Sequence, residues 1–111
     1  SVSGTDLVVI VTEPTVSGVH DMERVLNLAA HFNVPAVVVT NKADLNDVQA
    51  RRIETIAASA GAQVIGRIPF DPEVNEALMA GKTVVEYGNG PAAQAIHAVW
   101  EDLRKRLVPS A

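Results

Sequence analysis

This sequence contains no cysteine. Disulfides, thiolate metal sites and iron–sulfur ligation by these 111 residues are thereby excluded. Aromatic residues make up only 4% of a chain whose hydrophobic residues reach 48%, so a core has to be built from Val, Ile, Leu and Ala. That palette suits a parallel sheet covered by Ala-rich helices. Basic residues are in deficit. The net charge is −4, and no basic cluster offers a nucleic-acid surface. Long apolar runs are missing too: the longest, LVVIV from Leu7 to Val11, is too short to span a bilayer, and the first residues lack the positive start of a signal peptide. Neither nucleic acid nor membrane is therefore expected as a partner, and a soluble cytoplasmic protein is the expectation. The length allows one domain at most, burying about two thirds of its unfolded surface. The chain begins with Ser, not Met, which suggests a piece of something longer.

What is present is an alternation of strand and helix patterns. Leu7 to Thr12, LVVIVT, is a β-branched run of the kind found in strands buried on both faces. Glu13-Pro14 ends it, and Ser17 is the expected N-cap of the helix that follows. Met22, Val25, Leu26, Ala29 and Phe32 recur at helical spacing and predict about three to four turns, closing near Asn33-Val34-Pro35. Ala36 to Thr40 is a second strand. Asp44 or Asn46 suits the cap of a helix with the stripe Ile53, Ile56, Ala57 and Ala60, and Gly61 suits the left-handed position that ends it. Gln63 to Ile68 is a third strand, shorter and interrupted by Gly66. Pro69-Phe70-Asp71-Pro72 turns the chain, with Asp71 capping a short helix closed by Gly81. Thr83 to Tyr87 reads as a small extended segment and Gly88-Asn89-Gly90-Pro91 as a turn. A last helix from about Pro91 to Leu107 is expected to bury Ala92, Ile96, Val99, Trp100, Leu103 and Leu107. Strands linked in this way are parallel, with right-handed crossovers, so the two crossover helices share one face and the last helix covers the other. Three strands are few for a doubly wound domain; the pattern reads as part of a larger sheet.

The second strand runs into Asn41-Lys42-Ala43-Asp44, an N-K-x-D signature. In open α/β sheets, ligands sit beyond the carboxyl ends of the strands. In nucleotide-binding domains with this signature the Asn amide and the Asp carboxylate meet a purine edge, and the Lys stem lies along the base with its ammonium in water. The motif is short, so its context matters more than its letters. Pro69 and Asp71 leave the neighbouring third strand, and the two loops converge on one crevice that suits a base and ribose. For Asp71, capping and binding are compatible. Asp21 and Arg24 stand three apart on the first helix, where an exposed ion pair is the plain reading. Gly81-Lys82-Thr83 looks like the end of a phosphate loop, but position 76 is Glu where a Gly is needed, and a helix precedes it where a strand is required. His20, His31 and His97 share no spacing that builds a metal site or a catalytic triad. Glu13 and Glu73 are the remaining acids near strand ends, in no evident catalytic pair. No metal ligand and no catalytic residue is expected.

These residues carry a resemblance. TDLVVIVTEPTVSGVHDMERVLNLAAHFNVPAVVVTNKADLN closely resembles the C-terminal half of MinD-superfamily P-loop ATPases, in particular the type with an inserted ferredoxin domain. GRIPFDPEVNEALMAGKTVVEY continues it and is also similar to part of the nitrogenase iron protein. The resemblance covers essentially the whole chain. It implies an α/β fold, a three-layer P-loop NTPase-like (Rossmann-like) parallel sheet, here partial and lacking the phosphate-loop strand, with residues 1–111 as one piece of a nucleotide-binding domain. It also implies ATP and Mg²⁺ as ligands of the intact parent and a nucleotide-sandwich homodimer as the working unit. An iron–sulfur cluster would belong to the parent, since this chain has no ligands for one. Position by position, the resemblance puts Asn41 at the adenine, Pro69 and Asp71 against base and ribose, and Asp21 near the nucleotide or the dimer interface.

The departures bear on function. The family's phosphate loop, of the type GKGGxGKT, is absent, as are the cysteines of the ferredoxin insert; the Asp-Pro-Pro-Gly segment that senses the γ-phosphate is expected just upstream of Ser1. What remains is the base-binding half of an ATPase without the half that performs hydrolysis. Asp44 pulls in another direction. A carboxylate suits guanine, whose N1–H and exocyclic amine both donate, whereas adenine offers an acceptor at N1. Three readings stand: a fragment of an ATPase that couples nucleotide state to an iron–sulfur or partner protein, the corresponding piece of a GTP-binding protein, and a non-enzymatic Rossmann-like interaction domain.

Overall fold

The computed structural model describes residues 7–73, 88 and 90–107. Strands β1 (Val8–Thr12), β2 (Ala36–Asn41) and β3 (Gln63–Ile68) alternate with helices α1 (Val16–His31) and α2 (Asp47–Ser59), and helix α3 (Pro91–Leu107) follows. Both strand pairings are parallel and the order is β1-β2-β3, so β2 is central. The helix expected up to Gly81, the segment from Thr83 to Tyr87 and the Gly81-Lys82-Thr83 triplet lie outside the described residues.

Local chemistry sets the helix ends. The Thr15 hydroxyl, on extended backbone, accepts the Gly18 N–H at 2.9 Å and caps α1. Ser17, the residue expected to cap, is already helical and only meets the Thr15 hydroxyl at 3.3 Å. The cap must precede the first turn with non-helical torsions, and Thr15 is the hydroxyl residue that does so. Of the two candidates for α2, Asn46 is the cap, with Oδ1 accepting the Gln49 N–H at 3.1 Å. Gly61 has φ +75°, as expected for the residue after a helix C-cap.

Parity along β2 divides the core. Val38 joins Ile10, Val19, Met22, Leu26, Ile53 and Ala57 in one cluster, so α1 and α2 cover that face. Burying each of the larger members contributes about 1.5–3 kcal/mol. The opposite face meets α3, where Ala92 and Ile96 pack on Ile68 and Val99 lies over Gly66. A bulge in β3 arranges this. Val38 pairs with Val64 but Val39 pairs with Gly66, which leaves Ile65 as an extra residue. Past the bulge, Gly66 and Ile68 turn to the α3 side, and Arg67 turns to α2, where it bridges to Glu54. A Cβ at Gly66 would stand 2.2 Å from Val99 Cγ2, so only glycine fits beneath α3.

Three burial expectations are corrected. β1 is covered on its α1 face only: Val9 and Val11, on the other, are 40% and 64% exposed, and no described strand pairs with the outer edge. Trp100 is 64% exposed and Leu107 is exposed as well. The reason is geometric: α3 packs chiefly along β3, and Trp100 sits about 100° round the helix from Val99. Val25 and Phe32 of the expected α1 stripe are likewise exposed.

Candidate functional site

Parallel pairing places the three strand ends on one edge, with Thr12 beside Thr40 and Asn41 beside Ile68. Both threonines are buried beneath that edge. The Thr12 hydroxyl donates to the Gly18 carbonyl at 3.0 Å and ties the end of β1 to α1.

Asn41 is the last residue of β2. Its Oδ1 accepts the Lys42 N–H at 3.0 Å. An N–H requires an oxygen opposite it, so the amide orientation is fixed and Nδ2 is the donor left over. Lys42 has φ +51°, an uncommon conformation for a residue with a Cβ. Its ammonium, which the sequence reading left in water, reaches Glu13 Oε1 at 3.3 Å and links the loops after β2 and β1.

Asp44 turns the other way. Its Oδ1 accepts the Phe70 N–H at 2.8 Å, and next to it the Ala43 N–H donates to the Ile68 carbonyl at 2.9 Å. Half-buried Pro69 lies within the segment these two bonds lace to β2. Asp71 is half-buried, and both its oxygens are used: Oδ1 accepts from Glu73 N at 2.9 Å and Oδ2 from Ala92 N at 3.2 Å. One carboxylate thus caps the turn at Pro72 and also the start of α3. Glu73 Oε1 accepts the Gly90 N–H at 3.2 Å and adds a further tie.

The structure therefore brings Asn41, Lys42, Asp44, Pro69 and Asp71 together on the β2–β3 edge. Asp21 is apart from them. It is exposed on α1, ion-paired with Arg24, and lines a cleft of about 320 Å³ beside Thr12, Glu13, Thr15 and Gly18. Glu13 stands between the two regions. Sequence reasoning left Glu13 and Glu73 without roles, and position at a strand end or turn was the only signal they carried. A second hollow, about 310 Å³, lies behind the N-K-x-D loop between Thr40, Ala43, Ala50, Arg51 and Arg67.

The chemistry of the edge is that of carboxylates held by backbone amides. Among the described residues there, Glu13, Asp44, Asp71 and Glu73 outnumber Lys42, which is itself paired. Such an edge suits a neutral polar ring and a ribose better than a polyphosphate. Among the described residues no group of three or more His, Asp or Glu is placed to hold a metal ion. On α3, away from these loops, the hydrogen bond and charge of Arg104 hold the exposed Glu101 carboxyl below the usual carboxylate range. No described helix is long and apolar enough to cross a membrane.

A parallel sheet with crossover helices on one face, and polar loops beyond the strand ends, is an open α/β architecture, in which ligands bind beyond the carboxyl ends of the strands. Comparison with solved structures makes the class specific. MinD of Aquifex aeolicus has the same fold, with a TM-score of 0.73 and 27% identity, covering 96% of this chain and 47% of that one. A MinC:MinD complex from the same organism matches with a TM-score of 0.72 and 27% identity, over 96% and 45%. Pyrococcus horikoshii MinD, complexed with Mg-ADP, shares the fold at a TM-score of 0.72 and 21% identity, over 90% and 42%. In sequence, the iron–sulfur cluster carrier protein of Pyrococcus abyssi is 29% identical, covering 92% of this chain and 38% of that protein. An uncharacterized ATP-binding protein of Methanocaldococcus jannaschii is 29% identical, over 86% and 37%. No family model matches the chain. The chain is similar in both sequence and fold to the MinD superfamily, and it spans less than half the length of these relatives.

Proposed function

We propose that this chain is the base- and ribose-binding part of a MinD-like ATPase. The observation that carries the reading is the convergence of Asn41, Lys42, Asp44, Pro69 and Asp71 on one edge of a sheet shared with MinD. In this reading Asn41 Nδ2 donates to a ring nitrogen of the purine, and the Lys42 stem and Pro69 pack beside the base. Each Asp71 oxygen keeps a lone pair for a ribose hydroxyl. Asp21 faces the nucleotide or a dimer interface. The nucleotide is ATP with Mg²⁺, the working unit is a homodimer, residues 1–111 form one piece of the cytoplasmic parent's nucleotide-binding domain, and that parent couples ATP binding and hydrolysis to an iron–sulfur or partner protein. Relatives described as an iron–sulfur cluster carrier and as an ATP-binding protein support this.

The test is Asn41→Ala. In the intact parent, losing one buried hydrogen bond should weaken ATP binding by about 1–2 kcal/mol, measured by titration against the unaltered parent. Equal affinity would remove Asn41 from the site. A clear preference for GTP would favour a fragment of a GTP-binding protein.

The chain alone should hydrolyse neither ATP nor GTP. Phosphoryl transfer needs a Lys and backbone donors around the β- and γ-phosphates, a held Mg²⁺ and an oriented water. With those contacts absent, binding should be no tighter than about 1 mM, roughly −4 kcal/mol. An assay with Mg²⁺ on highly purified chain, with Lys82→Ala alongside, decides the point. Turnover that survives purification and disappears in the Lys82 variant would make the Gly81-Lys82-Thr83 triplet a working phosphate site.

A further inference from the structure

The geometry points to Asp44 as a positioning residue that sets the gap between the β2 and β3 loops and does not read the base. This rests on the nucleotide-binding reading and assigns the acid of the N-K-x-D signature a different task. Selective recognition of guanine by a carboxylate needs both oxygens, aligned with the N1–H and the exocyclic amine. Here the Phe70 N–H, 2.8 Å from Oδ1, fixes the orientation of the carboxylate. The neighbouring bond from Ala43 N to the Ile68 carbonyl, 2.9 Å, pulls on the same two loops, so the pair acts as a two-point clamp.

What the clamp leaves for the base is donor chemistry. Asn41 Oδ1 accepts the Lys42 N–H, which leaves Nδ2 as the side chain's unengaged donor. An N–H donor matches the ring acceptors that both purines carry and does not engage the N1–H and exocyclic amine of guanine. Asp44, tied through Oδ1 to the β3 loop, contributes by holding the crevice in shape.

Two variants of the 111-residue chain separate the roles. Asp44→Asn keeps an acceptor for Phe70 but offers a base an amine, which would fit the C2 carbonyl of xanthine where guanine carries its amine. Asp44→Ala removes the acceptor altogether. The probes are ATP, GTP and XTP at millimolar concentration, followed through backbone amide resonances, together with hydrogen exchange at the Phe70 amide without nucleotide. The expected result is that Asp44→Asn leaves the XTP-to-GTP affinity ratio within about twofold of the unaltered chain, whereas a base-reading Asp44 would move it by tenfold or more. Phe70 exchange should quicken about tenfold in Asp44→Ala and change little in Asp44→Asn, because only Ala deletes the charge-assisted bond. A gain in XTP binding, or unchanged Phe70 exchange in Asp44→Ala, overturns the inference. If the unaltered chain shows no purine binding at these concentrations, the exchange measurement still decides whether Asp44 is a clamp, and the proposed function is judged separately on Asn41→Ala in the intact parent.

Discussion

In sedimentation equilibrium the chain should self-associate through β1, and Val11→Lys should return it to a monomer. The outer edge of β1 has no partner strand among the described residues, so its backbone groups on that side are open to pairing. Val9 and Val11 are exposed on the face above it, and Val25, Leu28 and Phe32 are exposed on α1. Val25, Leu28 and Phe32 line an apolar hollow of about 150 Å³ together with Val8 and Val34, on the face of β1 opposite Val9 and Val11, so both faces beside the open edge carry apolar surface. Covering three valines, a leucine and a phenylalanine outweighs the loss of translational freedom once two copies meet; each contributes about 1.5–3 kcal/mol when fully buried. Lysine at position 11 removes apolar area and places a charge where a second strand would lie. A strict monomer at high concentration would end the idea, and association unchanged by the substitution would move the interface off β1.

Gly66→Ala should destabilise the chain by about 1–3 kcal/mol, the usual cost of forcing an atom into a packed contact. The added Cβ would sit 2.2 Å from Val99 Cγ2, and a valine methyl close to its own backbone cannot swing aside. α3 must lift from β3, and the contact of Ala92 and Ile96 with Ile68 weakens with it. Denaturant titration measures the loss. Adding Val99→Ala makes room, so the double variant should be more stable than the sum of the single effects requires, a positive coupling between neighbours. Independent, additive effects would mean that α3 does not press on Gly66.

The regular parts of the fold are written plainly in the sequence. The β-branched runs ending at Thr12 and Thr40, the residues Ile53, Ile56 and Ala57 of the α2 stripe and Gly61 follow from period and propensity, while Ala60, expected in that stripe, is the exposed C-cap. The bulge is different. Reading Gln63 to Ile68 as a plain alternation puts Val64, Gly66 and Ile68 on one face, whereas Ile65 is unpaired and the last three residues change sides. A bulge is set by the partner strand and the covering helix, and neither is local information. The same limit applies at the site. Asn41, Lys42 and Asp44 are legible as a motif, but the partners of Lys42 and Asp44 lie 29 and 26 residues away, at Glu13 and Phe70, and only the register of the sheet brings them within reach. Exposure of Trp100 could not be read either, because helical spacing marks an apolar stripe without saying how wide a sheet lies beneath it.

The ties along the strand ends run in series, from Glu13 to Lys42, Ala43 to Ile68, Asp44 to Phe70, Asp71 to Ala92 and Glu73 to Gly90. They cross the direction of the strands and join loops that would otherwise move independently. Ordering such loops costs conformational entropy, roughly 1–2 kcal/mol for each residue fixed. Here that ordering is completed when the sheet forms, before any ligand arrives. A ligand meeting this edge encounters preorganised groups, and little of its interaction energy is diverted into holding the loops still.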